Sequence, residues 1–313
     1  MSTPADGIVV IDKPLGMTSH DVVGRMRRVL GTRRVGHAGT LDPDASGVLV
    51  IGFGRGTRLL TYLTGDDKDY DATIRLGAST STDDAAGEVT SRAVAAAVAA
   101  VGDDAIRDAV DRLRGVISQR PSAVSAIKVD GVRAYARVRA GEQVVLPERT
   151  VVVSRFDVAA IRRDAQAGSV DVDATFTVSS GTYIRALARD LGESLGIGGH
   201  LVSLRRTRSG RFDIGSAVSL PEPGDAVEVL DLVDALRRTL PCCEVDAAAA
   251  ADIAHGRSVP APVVVTPGPS SPATDEGQPG AEVGVLCNGE VVAIARLSDG
   301  TLHPKAVFTS PAP

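Results

Sequence analysis

Twelve residues, Gly36-His37-Ala38-Gly39-Thr40-Leu41-Asp42-Pro43-Asp44-Ala45-Ser46-Gly47, hold much of the chemistry open to this chain. Glycines let a backbone approach a ligand closely. Pro43 biases Asp42 away from helical geometry, which places that carboxylate on a turn ahead of the apolar run Val48 to Ile51. A carboxylate held there can serve as a nucleophile or a general base. The same pattern also suits an aspartate that only caps its turn. A second candidate is Arg185 in Ser180-Gly181-Thr182-Tyr183-Ile184-Arg185-Ala186-Leu187, at a strand-to-helix junction. Such an arginine can pair with a carboxylate from another loop, lower its pKa and fix its direction; it can equally be a surface residue. Arg25, Arg27, Arg28, Arg33 and Arg34, and the run Arg205-Arg206-Thr207-Arg208, are candidate phosphate contacts or a solvated charged face.

Other chemistries find little support. The five histidines, 20, 37, 200, 255 and 303, are scattered and show no H-x-x-x-H spacing, so no metal is expected. No glycine-rich segment matches a phosphate-cradling nucleotide motif, so no cofactor is expected either. Gly52-Phe53-Gly54-Arg55-Gly56 reads as a turn. Cys242, Cys243 and Cys287 make neither a disulfide framework nor a zinc site, which fits a reducing, cytoplasmic compartment. No apolar run approaches the ~18 residues of a membrane span, and residues 1–12 lack a basic leader.

The net charge of −5 argues weakly against a nucleic-acid partner, but its distribution argues the other way. Residues 1–64, 119–150 and 181–215 each carry +3, while 65–118 carry −5, 151–180 carry −1 and 216–313 carry −8. Three basic blocks could form one local basic face inside an acidic protein. Tryptophan is absent and aromatics make up 3%, so each tyrosine in a polar setting invites a functional question.

The elements that must position these residues can be read in outline. Residues 7–11 form a strand, and a turn at Pro14 and Gly16 leads to a helix N-capped by Ser19 and closed by Gly31. A polar loop runs from Arg33 to Gly47. A strand covers Val48–Ile51 and a short helix Thr57 to Leu63. Residues 68–76 alternate, with Tyr70, Ala72, Ile74 and Leu76 on one face of a strand. Residues 78–90 read as a loop, and Ala93 to Val101 as a helix or a linker. Ile106, Ala109, Val110, Leu113, Val116 and Ile117 suggest one amphipathic helix capped by Asp103 or Asp104. Residues 119–150 look like a basic excursion from the sheet. Strands follow at 151–160 and 170–178, then a helix through Ile184, Leu187, Ala188, Leu191 and Leu195. A basic stretch at 204–215 leads into another strand. Beyond 240, an alanine-rich helix ends at His255-Gly256, short strands fall at 263–265 and 283–308 with a hairpin turn at Asn288-Gly289, and the Pro/Gly/Ser-rich residues 266–282 read as a mobile loop.

Taken together, several segments resemble the bacterial tRNA pseudouridine synthase B family. They are Asp12-Lys13-Pro14-x-Gly16-x-Thr18-Ser19-His20-Asp21-Val22-Val23 and Gly36 to Leu49; Lys68-x-Tyr70; Ser125-Ala126-Ile127-Lys128-Val129-x-Gly131-x-Arg133-x-Tyr135; Ser180 to Arg185; and Leu204-Arg205-Arg206-Thr207. They occur in family order over about residues 7–215. The resemblance implies isomerisation of the T-loop uridine at tRNA position 55 to pseudouridine. It implies an everted base, aspartate-dependent C–N cleavage and C–C rejoining, with no cofactor. It assigns Asp42, Tyr70 and Arg185 as the catalytic residues: Asp42 as the catalytic aspartate, Tyr70 as the residue that stacks on the uracil and is a candidate for proton removal, and Arg185 as the partner of Asp42. His37 would fill the gap left by the flipped base. Tyr183 and Leu204 would line the pocket, Lys13 and Pro14 would support the first motif, and Arg205 and Arg206 would meet phosphates.

The implied fold class is α/β (α+β): a mixed, largely antiparallel sheet flanked by helices, with a small β-rich, PUA-like C-terminal domain. The domains would be 1–240, carrying a basic RNA-binding insertion at 119–150, and 241–313. The implied partner is the tRNA T-arm, met by a monomer without metal or membrane. The family often carries an aspartate where Ser81 stands, with Asp83 and Asp84 nearby. Two further readings are a tRNA-binding folding helper, which would not need Asp42, and a glycoside hydrolase, which would need a second carboxylate at fixed separation.

Overall fold

The computed structural model describes residues 5–122, 128–129, 132–133, 146–262, 265–266 and 280–309. The expected basic excursion at 119–150 and the loop at 266–282 therefore lie largely outside the described residues, as does most of the Ser125–Tyr135 motif.

In chain order, the first half runs β1 (Gly7–Lys13), α1 (Ser19–Val29), β2 (Val35–Ala38), β3 (Ala45–Phe53), a 3-10 turn (Gly54–Arg58) and α2 (Leu60–Thr64). It continues through β4 (Lys68–Leu76), β5 (Ala78–Thr80), β6 (Val89–Arg92), α3 (Ala95–Ala100), α4 (Asp103–Arg112) and β7 (Gly115–Gln119). After the small ladder of β8 (Lys128–Val129) and β9 (Val132–Arg133) come β10 (Arg149–Asp164), β11 (Ser169–Val178), α5 (Ile184–Ser194), β12 (Gly199–Ser209), β13 (Phe212–Asp213), β14 (Val218–Ser219) and α6 (Leu232–Thr239). The last part holds β15 (Cys242–Glu244), α7 (Ala247–Ala254), β16 (Val259–Pro260), β17 (Val265–Thr266), β18 (Ala281–Cys287), β19 (Glu290–Ser298) and β20 (Thr301–Val307).

The main sheet has the order β14-β1-β3-β12-β4-β11-β10-β7, with β2 beside β3 and β13 beside β12. Its pairings are antiparallel except β1 with β14 and β3 with β12. The fold class is thus the expected mixed, largely antiparallel sheet with flanking helices. A second sheet, β16-β20-β19-β18-β15-β17, makes the C-terminal part β-rich.

Burial explains both sheets. In β4 and β11 every second residue is buried, and Tyr70, Ala72, Ile74, Val172, Ala174 and Phe176 pack on Ile106 and Val110 of α4 and Leu187 and Leu191 of α5. One face is covered, so the period is two. Strands β1 and β3 read instead as continuous apolar runs, because they are covered on both faces. Val9, Ile11, Leu49 and Ile51 meet Val22, Val23 and Met26 of α1. Ile8, Val10, Val48 and Val50 meet Ala235 and Leu236 of α6 and Leu286, Ile294 and Phe308 of the C-terminal part.

Several elements differ from the sequence reading. The N-cap of α1 is Thr18, not Ser19: Thr18 and Asp21 form a reciprocal capping box. The expected polar loop contains strand β2, paired with β3 over Val35–Ala38. The segment read as loop 78–90 holds the β5–β6 pair. Helix α4 stops at Arg112 because Gly115 turns at φ +85°, which sends Val116 and Ile117 into β7. The N-cap of α4 is Gly102, which has no side chain to cap with, so neither Asp103 nor Asp104 has the expected role. The basic stretch at 204–209 is itself strand, the second half of β12. The Asn288-Gly289 hairpin forms with φ +50° and +75°, and an Asp299-Gly300 turn repeats it with +50° and +68°.

Candidate active site

The loop between β2 and β3 carries Asp42, and three side chains fasten it. The Ser19 hydroxyl, expected as a cap, points inward: it accepts from the Leu41 N–H at 2.8 Å and lies 3.1 Å from the Leu41 carbonyl. Lys13 is fully buried and its ammonium donates to the carbonyls of Pro14 (2.9 Å), Met17 (2.6 Å) and Pro43 (3.4 Å). Burial pulls Lys13 down to about 8, with Asp42 and Asp44 opposing the fall. Arg206 donates to the carbonyls of Val48 (2.7 Å) and Gly39 (3.0 Å). Gly47 has φ +102°, and a Cβ there would sit 2.1 Å from the Arg206 carbonyl oxygen, so β3 and β12 can approach only with glycine at this point. Asp42 thus stands on a braced turn beside β12.

Helix α5 brings Arg185 to the same place. Arg185 is 5% exposed; its Nη2 lies 3.1 Å from Asp42 Oδ2 and its Nη1 3.1 Å from Asp84 Oδ2. Nη1 also donates to the Thr82 carbonyl at 3.2 Å. One guanidinium therefore links two carboxylates. Asp84 comes from the β5–β6 turn, where Asp83 adopts the left-handed φ of +61°. Asp83 is clamped by Arg189 at 3.2 Å and by the Ser122 hydroxyl at 2.5 Å. Desolvation is the largest influence on Asp42 and pushes its carboxyl above the ordinary value; Arg185 opposes it, and Asp84 and Asp44 reinforce it. The net direction is upward, although the sequence reading anticipates a lowered value. Nearly half of the Asp42 side chain (46%) still faces the cleft, and water softens the rise.

The pair divides two hollows. One, of about 410 Å³, is lined by Gly39, Lys68, Tyr70, Tyr183 and Arg206. The other, of about 440 Å³, is lined by Leu15, Asp44, Asp84, Leu201 and Ser203. Asp42, Arg185 and Leu204 face both. Either is large enough for one nucleotide base. Tyr70 is 8% exposed, and its strand register sets it opposite Phe176 on one side and Arg206 on the other. Lys68 donates to the carbonyls of Thr64 (2.7 Å) and Asp66, and burial brings it down to about 8. Tyr183 precedes α5, and the Arg149 guanidinium lies over its ring at 4.6 Å.

The structure thus gathers Asp42, Arg185, Tyr70, Tyr183 and Leu204 around one cleft. His37 is on β2, outside the lining of both hollows, with its ring edge-on to His20 at 6.2 Å. Burial, ahead of the charges of His20 and Arg206, lowers its pKa. Lys13 and Arg206 brace the loop from beneath. Arg206 is 1% exposed, so the expected phosphate contact is corrected: its guanidinium is engaged by main-chain carbonyls. Arg205 is partly exposed and pairs with both oxygens of Asp12, at 2.7 and 3.1 Å. The sequence marks Asp84 only as an aspartate near Ser81, with no partner, and carries no mark for Ser122, Gln119 or Arg149. Asp84 stood beside the noted Ser81, yet no local pattern says that its carboxylate crosses to a helix a hundred residues away.

Comparison with known proteins gives a consistent picture. Residues 27–184 match the model of the TruB family pseudouridylate synthase N-terminal domain, and residues 185–244 match the tRNA pseudouridylate synthase B C-terminal domain. The chain is 57% identical to tRNA pseudouridine synthase B of Arthrobacter sp. (strain FB24), over 82% of each chain. It is 51% identical to the protein of that name from Paenarthrobacter aurescens, over 96% of this chain and 94% of that one. For Thermobifida fusca the figures are 48%, 97% and 99%. Among solved structures, a chain in the crystal structure of a Cbf5-Nop10-Gar1 complex superposes with a TM-score of 0.72 at 26% identity, over 97% of this chain and 85% of that chain.

Proposed function

The chain belongs to the TruB family of pseudouridylate synthases, and from that premise we propose that its substrate is the T-loop uridine at position 55 of tRNA, with Asp42 as its catalytic carboxylate. The observation that carries the site assignment is the 3.1 Å pair between Asp42 and the buried Arg185, at the wall of a cleft that Tyr70 also lines. The relatives' names, tRNA pseudouridine synthase B, carry the choice of RNA.

The reaction is an isomerisation. The bond from the uracil nitrogen to the ribose carbon breaks, the base turns, and the ring carbon C5 bonds to the same ribose carbon. C5 loses a proton and the freed nitrogen gains one, so no redox partner is needed. Asp42 acts as its carboxylate, and Arg185 supplies the positive charge that favours that form. The base must leave its stack, which costs a few kcal/mol and calls for stacking surfaces in return. Tyr70 supplies one, and Tyr183 and Leu204 close the sides. Lys13 and Arg206 keep the turn in place, while His37 stands back from the reacting atoms, in the position of a group that meets the RNA around the lifted base.

The arginines at and after the end of α1, Arg27, Arg28, Arg33 and Arg34, are exposed and suited to phosphates. With Arg205 and the segment 119–150 they would recognise the folded T-arm by shape. The catalytic unit would span 1–240, and the PUA-like β unit 241–313 would follow it. The protein would act as a monomer in the cytoplasm. Incubating it with unmodified tRNA and mapping pseudouridine by position tests the reading. Product at position 55 of the T-loop supports it; product elsewhere alone, or none, overturns it. Affinity should also fall steeply with added salt, and a flat response would contradict the phosphate contacts.

A further inference from the structure

The start of helix α5 has an unusual support. Tyr183 is its N-cap residue, and no side chain of its own caps the first turn. Gln119, the last residue of β7 and fully buried, supplies an external clasp. Its Oε1 accepts from the Tyr183 N–H at 2.9 Å, and its Nε2 donates to the Tyr183 carbonyl at 3.1 Å. Both polar groups of this side chain are thus committed to the main chain of one residue 64 positions away. Arg185 is the second residue of that helix, and its ion pairs with Asp42 and Asp84 depend on the direction in which the helix begins. The Tyr183 ring, which lines the cleft, is held separately by Arg149. Gln119 touches neither hollow.

We propose that Gln119 is a positioning residue for the reaction: it fixes the start of α5, and so the direction of the Arg185 guanidinium toward Asp42. The inference rests on the reading of Asp42 and Arg185 given above. A second strut acts on the turn that carries Asp84. Ser122, also fully buried, holds Asp83, and the main-chain carbonyl of Arg120 accepts from Arg189, which also grips Asp83. The short stretch from Gln119 to Ser122 therefore braces both supports of the Asp42–Arg185–Asp84 array, from α5 and from the β5–β6 turn. A displacement of about 1 Å in such an array can lower turnover on the order of 10²-fold.

The test uses the full-length protein with a tRNA transcript and two variants. In Gln119→Leu the shape is kept and both hydrogen bonds are lost. Turnover should fall by about 10²-fold with KM little changed, and the acid limb of the kcat profile should move to higher pH as Asp42 loses its fixed cation. Gln119→Glu separates positioning from mere folding. A buried glutamic acid is protonated at low pH and then donates to the Tyr183 carbonyl as glutamine does; once ionised it cannot. Its activity relative to the unmodified sequence should therefore be highest in acid and fall as pH rises, while circular dichroism and melting report a folded protein throughout. Should Gln119→Leu fail to fold, Gln119→Glu carries the test at low pH. A folded variant with unchanged kcat at every pH overturns the inference. If the unsubstituted protein makes pseudouridine and Asp42→Asn does not, that result leaves the reading of the site standing and removes Gln119 alone.

Discussion

At the scale of residues, the chemistry turns on one carboxylate under two opposing influences. Desolvation lifts Asp42 above 3.8 and Arg185 draws it down. The active form is the anion, so activity is complete above the folded-state pKa and is lost as pH falls through it. Because the shift is upward, that acid limb lies at higher pH than for a free aspartate. Arg185→Met removes the favourable charge; the limb should move further up and kcat should fall by about 10²-fold or more. A kcat profile measured across the acid range checks this, and an unmoved limb would separate Arg185 from Asp42. The sequence made Asp42 and Arg185 visible because each sits in a distinctive local pattern. The role of Asp84 was not visible, since it exists only once a turn with a left-handed Asp83 aims Asp84 at Arg185. Gln119 carries no local mark at all, its partner being 64 residues on.

At the scale of elements, the site depends on strands whose register is set elsewhere. The parallel pairing of Leu204 with Ala45 and Arg206 with Gly47 seats the Asp42 turn against β12, and α1 anchors its Leu41 through Ser19. Thr18→Ala removes the capping box of α1. The expected cost is about 1 kcal/mol, a fall of a few degrees in Tm by calorimetry, with kcat nearly unchanged because Ser19 still holds Leu41. A loss of activity without a loss of stability would show that the cap matters to the site itself. Strand β4 was legible because one covered face gives strict alternation. Strand β2 was not, because Val-Gly-His-Ala has little strand character and is strand only by pairing with β3. The run through Val116 and Ile117 misled because its apolar spacing continues past Gly115, where the backbone turns.

At the scale of the whole molecule, the C-terminal β unit is part of the packing that supports the site. Leu286, Val291, Ile294 and Phe308 share a core with Ile8, Val10, Leu59 and Leu60. The Arg55 guanidinium donates to the Phe308 carbonyl at 2.9 Å, and Arg58 lies 5.7 Å from its ring centre. This contiguous apolar contact predicts one cooperative unfolding transition for the full chain, followed by calorimetry. Two well-separated transitions would contradict it. Composition showed the change of style near 240 but not this shared core, because the faces of β1 and β3 that receive the second unit look like any buried strand.

The most direct measurement compares the unsubstituted protein with Asp42→Asn on one tRNA transcript, reading pseudouridine formed and RNA bound in the same samples. Asparagine keeps the shape of the turn and removes the charge. Binding within a few-fold and no detectable product is the result this structure predicts. Pseudouridine formed by Asp42→Asn at the rate of the unsubstituted protein would contradict it, and with it the assignment of the cleft between Tyr70 and Arg185 as the place of reaction.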